Sequence, residues 1–270
     1  MSPAPGALQS ARAFSTLPRK DTMATSAPLP DASPAVIRKV APWLHTVFVL
    51  VLMLFLSLGG SQGRQRQQVE QHGRIPVYLF TMAAEWAIVG FIWYSIRRQG
   101  VPLRELVGGK WTTFESALLD AAIAFGFWIA AAIVLIGAGF ALGLARSNLD
   151  EVKKTIGFLA PHTGPELLMW LAVCLTAGFC EEVIFRGFFQ RQFAALIRSG
   201  WGGVVLQALL FGAAHGYQGP RRMAQIAVFG GLFGVLALLR KSLRPGMMAH
   251  AWQDGLAGVA LFVIGKIQGW

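Results

Sequence analysis

The sequence has few charged residues and almost no cysteine. Only 14% of its 270 residues are charged and 54% are hydrophobic, whereas about 25% of the residues in a typical soluble domain are charged. This composition excludes a disordered chain and argues against a soluble enzyme. The two cysteines, Cys174 and Cys180, would lie about 9 Å apart along a helix axis, beyond disulfide reach. A Cys-x-x-Cys metal-binding pattern is also missing.

Long apolar runs dominate what is present. Each approaches the roughly 20 residues that a helix needs to cross about 30 Å of hydrocarbon. We therefore expect an all-α, polytopic transmembrane helical bundle with about seven spans, in the range of six to eight. The predicted spans are residues 43–58, 76–96, 117–145, 166–190, 201–216, 222–240 and 246–266.

The chain divides into three parts by composition. Residues 1–40 are rich in Pro, Ala and Ser and are predicted to be a disordered tail, within which Met23 is an alternative start. Residues 41–165 hold the N-terminal transmembrane helices, and residues 166–266 hold a second, more polar group. The net charge of +11 is spread over nearly every connection between spans, which indicates membrane flanking and no nucleic-acid partner. By the positive-inside rule we expect an integral membrane protein with a cytoplasmic N-terminus.

Ionisable residues inside the apolar runs are the candidate functional residues, because each costs at least a few kcal/mol to bury in a bilayer. The first half holds Glu85 and Asp120, which we assign to no site. Glu85 is expected to pair with Arg186, line a water path or bond a neighbouring helix, and Asp120 is favoured near a helix start. The second half holds Glu181, Glu182, Arg186, His215, His250 and Asp254.

Three pairs in the second half are spaced four residues apart, which puts each pair on one helix face. Glu182 and Arg186 can form an ion pair, and Glu181 is then a second carboxylate available as a general base. The alternative is that this segment reaches the membrane interface and is solvated there. The other two pairs are Phe211 with His215 and His250 with Asp254.

Glu181, His215 and His250 offer two kinds of hydrolytic chemistry. One glutamate and two histidines are the ligand types of a catalytic zinc site, which would make the protein an intramembrane metalloprotease. The same residues can also activate water without a metal. The His-Glu-x-x-His motif is absent, so a zinc site would need ligands from three helices. A straight fifth span would leave His215 too far outward, and a tilted helix or a re-entrant stretch at residues 199–203 would correct this.

These pairs resemble the motifs of a known family, the CPBP intramembrane proteases. This family includes the CAAX prenyl endopeptidases and bacterial proteins linked to bacteriocin immunity. The resemblance covers about residues 166–266 and rests on the motifs Glu-Glu-x-x-x-Arg, Phe-x-x-x-His and His-x-x-x-Asn/Asp. They are matched by Glu181, Glu182 and Arg186, by Phe211 and His215, and by His250 and Asp254.

The resemblance implies an endopeptidase that cuts membrane-associated peptides or proteins, lipidated or not, in contact with membrane lipid. Glu181 would activate a water with help from His215. His250 and the residue four positions later would stabilise the oxyanion. Arg186 would hold Glu182.

Two further points concern the pocket and a departure from the family. Phe211 would form a wall of the substrate pocket. The prenyl endopeptidases have asparagine where this chain has Asp254, and an ionised aspartate cannot donate to an oxyanion. Asp254 would therefore orient His250, bind a metal or stay protonated.

Two non-protease functions compete with this interpretation. A non-catalytic immunity or scaffold factor could use the same fold. A small transporter with a carboxylate relay is a further alternative, which the lack of an inverted repeat disfavours.

Overall fold

The computed structural model describes residues 38–59, 62–144 and 157–269. The predicted tail lies outside these ranges except for residues 38–40. The regular secondary structure of the described ranges is helical, and we number its α-helices α1 to α10. They are α1 (Trp43–Gly59), α2 (Gln62–His72), α3 (Arg74–Arg97), α4 (Leu103–Val107), α5 (Phe114–Ala141), α6 (Gly164–Glu181), α7 (Gln190–Ile197), α8 (Gly200–Ala214), α9 (Pro220–Arg240) and α10 (Arg244–Gln268).

Short irregular helices join some of these elements. A π-helical segment, Glu182–Phe189, connects α6 directly to α7. Single 3₁₀ turns occur at Gly157–Leu159 and at Gly216–Gln218, the latter between α8 and α9.

The predicted all-α membrane bundle is confirmed. Five helical runs are long and apolar enough to cross a membrane, namely α3, α5, the continuous run Gly164–Ile197, α9 and α10. Two further apolar helices, α1 and α8, are shorter. Large side chains such as Phe114 and Ile267 lie exposed on the outer surface, as lipid-facing residues of a bundle do. The seven predicted runs thus form five long spans and two shorter helices.

Local signals explain where two of the spans begin. Thr113 caps α5 and Thr163 caps α6, and each threonine forms a reciprocal capping box with the residue three positions later. These side chains satisfy backbone N–H groups that a helix start leaves unpaired. The polar helix α2 was not predicted, because its residues show no apolar period; it packs against α3.

Glycines allow the helices around the core to approach closely. A Cβ on Gly178 of α6 would lie 2.8 Å from the carbonyl oxygen of Met247 in α10. A Cβ on Gly212 of α8 would lie 2.7 Å from the carbonyl oxygen of Met223 in α9. Because only hydrogen occupies these positions, α6 packs tightly on α10 and α8 packs tightly on α9.

One end of the bundle is held together by charge. The buried carboxylate of Asp120 in α5 pairs with Arg244 at 2.9 Å and with Arg240 at 3.5 Å, and it accepts a hydrogen bond from Trp111. The backbone N–H of Leu243 donates to Val107 in α4. The end of α9 and the starts of α5 and α10 therefore lie at the same end of the molecule, in agreement with leaving Asp120 out of the candidate site.

Residues 199–203, one of the two places suggested for bringing His215 inward, begin a regular helix. Ser199 caps α8, and the following glycine-rich residues form its first turn. At 15 residues, α8 is a short, continuous helix that ends immediately before His215. Cys174 and Cys180 are both free and buried, in agreement with a spacing beyond disulfide reach.

Candidate active site

The Glu182–Arg186 pair forms the base of the site. Glu182 opens the π-helical segment, and its Oε1 lies 3.0 Å from Nη1 of Arg186. Both side chains are almost completely buried, with exposed fractions of 1% and 0%. The predicted pair is therefore confirmed, and the alternative of a solvated interface segment is wrong for these two residues. Isolated π-helical turns occur frequently at functional sites.

Arg186 is held by contacts beyond its acidic partner. Its Nη2 donates to the carbonyl oxygen of Gly230 at 3.3 Å. The guanidinium carbon lies 4.4 Å from the ring centre of Phe211 and 5.4 Å from that of Phe233. These cation–π contacts and the ion pair offset part of the cost of burying the charge. Phe211 thus packs directly against the candidate site.

His250 lies among three carboxylates. Its Nδ1 is 3.1 Å from Glu182 Oε1, which can only accept when ionised, so Nδ1 carries the hydrogen and donates. Its Nε2 faces Glu181 Oε2 at 3.7 Å and Asp254 Oδ2 at 3.5 Å. The structure therefore brings Glu181, Glu182 and Asp254 around one buried imidazole, although α6, the π-helical segment and α10 supply them separately.

Gly246, in the first turn of α10, makes room for Glu182. A Cβ at Gly246 would lie 3.1 Å from Glu182 Oε2. The carboxylate consequently lies beside the start of α10, where the partial positive charge of a helix N-terminus favours an anion.

His215 lies apart from this carboxylate cluster. Its Nδ1 is 2.9 Å from the carbonyl oxygen of Phe211, so Nδ1 donates and Nε2 keeps a lone pair free to accept a proton. Within the described ranges its ring contacts are with Phe211 at 4.8 Å and Tyr217 at 6.1 Å. The Phe211 ring in turn lies 6.3 Å from the ring of His250. Phe211 therefore contacts the rings of both histidines.

The depths of these residues follow from the helix directions. Gly200, at the start of α8, packs against Leu238 near the end of α9, the end that also holds Arg244. Going away from that end, His215 lies about one turn beyond Phe211, and Asp254 lies one turn beyond His250. His215 and Asp254 therefore lie further from this end than Phe211 and His250 do.

The three predicted zinc ligands have the partners described above. Across the described parts of the chain there is no group of three or more His, Cys, Asp or Glu residues arranged to hold a metal ion. His250 directs both nitrogens at carboxylates, and Nδ1 of His215 is bonded to a backbone carbonyl. Zinc coordination by Glu181, His215 and His250 stays a prediction.

Glu85 lies near the site, although the sequence analysis assigned it to no site. Its Oε2 is buried and has no hydrogen-bond partner among the residues that the structure describes. The charges of Glu181, His250 and Asp254 act on it. Helix α3 is fixed against α6 nearby by the stacked rings of Trp86 and Phe179, 5.3 Å apart. The suggested pairing of Glu85 with Arg186 is wrong. The sequence signal that could have placed Glu85 near the site was a lone acid in the middle of an apolar span.

Tyr217 is a second residue that sequence reasoning missed. It lies on the 3₁₀ turn after α8 and is half-buried. Burial, together with the nearby carboxylates of Glu181, Asp254 and Glu85, raises the pKa of its phenol to about 12. Its proximity to His215 in sequence was the only signal, and a tyrosine two residues from a histidine is not specific.

Buried glutamines fix α9 against the site. The side-chain amide of Gln190 donates to the carbonyl oxygen of Gly234 at 3.0 Å, and that of Gln207 donates to the carbonyl oxygen of Gly230 at 2.8 Å. Gly230 is also the acceptor for Arg186. The backbone of α9 is therefore tied to both α8 and the π-helical run.

Comparison with known families identifies the segment that carries the site. Residues 163–256 match the family model described as type II CAAX prenyl endopeptidase Rce1-like. The match begins at the capping residue of α6 and ends two residues after Asp254, so it includes all six ionisable candidates of the second half. The predicted resemblance is thus confirmed for this segment. No curated protein and no solved structure matches the chain significantly.

Proposed function

We propose that this Rce1-like integral membrane protein is an intramembrane endopeptidase that hydrolyses peptide bonds of membrane-associated substrates. One observation carries the proposal: Glu181 and Asp254 flank Nε2 of the buried His250, whose Nδ1 is fixed by Glu182. Amide hydrolysis requires carboxylates, an oriented imidazole and apolar surroundings that exclude bulk water.

In the proposed mechanism Glu181 is the general base. A water held between Glu181 and Nε2 of His215 loses a proton to Glu181 as its oxygen attacks the carbonyl carbon. The carbonyl π electrons move to the oxygen, which becomes an oxyanion. When the C–N bond breaks, Glu181 returns the proton to the leaving amine. Glu85 lines the path by which water reaches this position.

His250 is the proposed oxyanion donor. Because Nδ1 already donates to Glu182, donation from Nε2 requires the imidazolium form with a hydrogen on both ring nitrogens, and the proposal takes His250 in that form beside its three carboxylates. Its Nε2 lies 3.5 Å or more from the two facing carboxylates, so it is not committed to a short hydrogen bond with either. Glu182, held by Arg186, fixes the ring through Nδ1. In this proposal Asp254 orients His250, and Phe211 forms the pocket wall between the two histidines.

The proposed substrates are peptides or proteins held at the membrane, because the site lies among apolar spans. A lipid anchor on the substrate would concentrate it in the same layer as the site. The family description names a prenyl endopeptidase, so the substrate panel must include both lipidated and unmodified peptides.

The decisive experiment compares the wild type with Glu181→Gln in liposomes, using fluorogenic peptides with and without a farnesyl group. We expect Glu181→Gln to lower kcat by about 10²- to 10⁴-fold, because it cannot accept the water's proton. Glu105→Gln is the matched control, since Glu105 is exposed in α4.

Equal cleavage by Glu181→Gln and the wild type would show that the mechanism is wrong. Full complementation of a deletion strain by both Glu181→Gln and His215→Ala would instead favour the non-catalytic immunity or scaffold factor. Ion-coupled uptake into the same liposomes would favour a transporter.

A further inference from the structure

Asp254 carries the most exposed of the three carboxylates around His250. Its side chain is 40% exposed, against 18% for Glu181 and 1% for Glu182. Its Oδ2 nevertheless lies 3.5 Å from Nε2 of His250. An aspartate side chain is short and adopts few rotamers, so the place of its carboxylate follows closely from the place of its backbone. A contact that fixes the α10 backbone at Asp254 therefore also fixes its carboxylate against His250.

Trp170 of α6 makes such a contact. Its indole N–H donates to the backbone carbonyl oxygen of Asp254, with Nε1 3.2 Å from that oxygen. In an α-helix this carbonyl also accepts from the backbone N–H of Gly258, four residues later, and its two lone pairs allow both bonds. A donor from another helix is thus bonded to the residue whose carboxylate faces His250.

Gly258 leaves the space that the indole occupies. A Cβ at this position would lie 1.9 Å from Nε1 of Trp170 and 2.4 Å from its Cδ1. A side chain at position 258 would therefore displace the ring and break its bond to Asp254. The glycine of α10 and the tryptophan of α6 form a matched pair.

Other helices hold the indole and the turn to which it is bonded. The ring of Tyr78 in α3 meets the ring of Trp170 edge-on, with the ring centres 5.7 Å apart. Trp128 of α5 donates its own indole N–H to the side-chain oxygen of Gln253 at 2.9 Å. Two indoles, from α5 and α6, are therefore bonded to consecutive residues in the turn that follows His250.

We propose that Trp170 is a positioning residue of this site, which fixes the α10 backbone so that the Asp254 carboxylate stays against His250. The inference rests on the proposed endopeptidase function, in which Asp254 orients the imidazole. Trp170 acts only through Asp254 and touches no reacting atom. Because a displacement of about 1 Å in an active site can lower a rate on the order of 100-fold, a bond that sets the position of α10 affects catalysis from a distance.

The test places benzothienylalanine at position 170, which keeps the ring shape and puts sulfur in place of the indole N–H. In the liposome cleavage assay we expect kcat to fall about 10-fold, with KM changed less than about twofold, because the lost bond positions the imidazole and not the substrate. The same analogue at position 111 is the matched control. Trp111 donates its N–H to Asp120, outside the site, so kcat there should stay within about twofold of the wild type.

A variant on the opposite helix breaks the same contact without changing Trp170. Gly258→Ala should also lower kcat, because its Cβ overlaps the indole. In the Gly258→Ala background, the analogue at position 170 should lower kcat less than about twofold further, since the bond that it removes is already broken. A full 10-fold further loss would overturn the proposal. If Gly258→Ala does not fold, the analogue in the natural chain decides.

The same assay separates this proposal from the function it rests on. If wild type and Glu181→Gln both fail to cleave, the endopeptidase proposal falls and the positioning proposal falls with it. If wild type cleaves and the analogue at position 170 keeps at least half of the wild-type kcat, or changes KM alone, only the Trp170 proposal is wrong. An equal fall in kcat with the analogue at position 111 would also contradict it, because the effect would then be a general loss of stability.

Discussion

Arg186 has one of the most demanding positions in the molecule. It is a fully buried guanidinium, and Glu182 is its acidic partner at 3.0 Å. Glu182 in turn accepts from His250. Removing one member of such a pair leaves a charge in an apolar interior, which costs more than removing both. The stability of the site should therefore depend on the pair as a unit.

We expect Arg186→Met to lower the free energy of unfolding in detergent by about 3–5 kcal/mol, because it leaves the Glu182 carboxylate without its cation. The double variant Glu182→Gln/Arg186→Met should regain more than half of that loss. Arg191→Met is the control: its pair with Glu105 is partly exposed, so it should cost no more than about 1 kcal/mol. A double variant less stable than Arg186→Met would contradict this account.

At the scale of elements, the contact between α6 and α10 builds the site. Glutamates at the end of the α6 run meet His250 only because the two helices approach closely at Gly178. The π-helical segment that follows is buried along its whole length, Glu182–Phe189. An apolar helix buried all round sits in the centre of a bundle, so the site lies in the core.

Gly178→Ala should push α10 away from α6, because its Cβ would lie 2.8 Å from a backbone oxygen. We expect a loss of about 1–3 kcal/mol in unfolding free energy, together with reduced cleavage. Gly90→Ala is the control, since a Cβ there meets no atom within 4 Å. Thermal unfolding that is the same for both variants would show that the close approach is not needed.

The whole molecule has one end rich in cations. Arg240 and Arg244 meet there around Asp120, and Lys241 lies exposed between α9 and α10. The positive-inside rule favours this end for the cytoplasmic side. Helix α10 leads from it to Gln268 over about 37 Å, enough to cross a bilayer. The orientation is a proposal that labelling can test.

In sealed vesicles of known orientation, we expect Lys241→Cys to react with a membrane-impermeant maleimide from the cytoplasmic side. Gln268→Cys should react from the opposite side. Cys174 and Cys180 are buried, so the unmodified chain supplies a low background. Labelling with the two sides exchanged would place the N-terminus outside.

The sequence by itself determined the class of protein, most of the spans and the Glu182–Arg186 pair. These depend on local physics: the length of an apolar run, and the four-residue spacing that puts two side chains on one helix face. The three motifs also predicted the segment that matches the Rce1-like family model.

Only the tertiary structure decided which polar residues meet. Contacts between residues distant in the chain surround His250 with three carboxylates and bring Phe211 against both histidines. The charges of the same cluster also reach Glu85 and Tyr217. Helical periodicity sets the face on which a residue lies. Packing decides which helix lies against that face. Here Gly178 lets α6 and α10 approach so closely that a Cβ at this position would lie 2.8 Å from a backbone oxygen of α10.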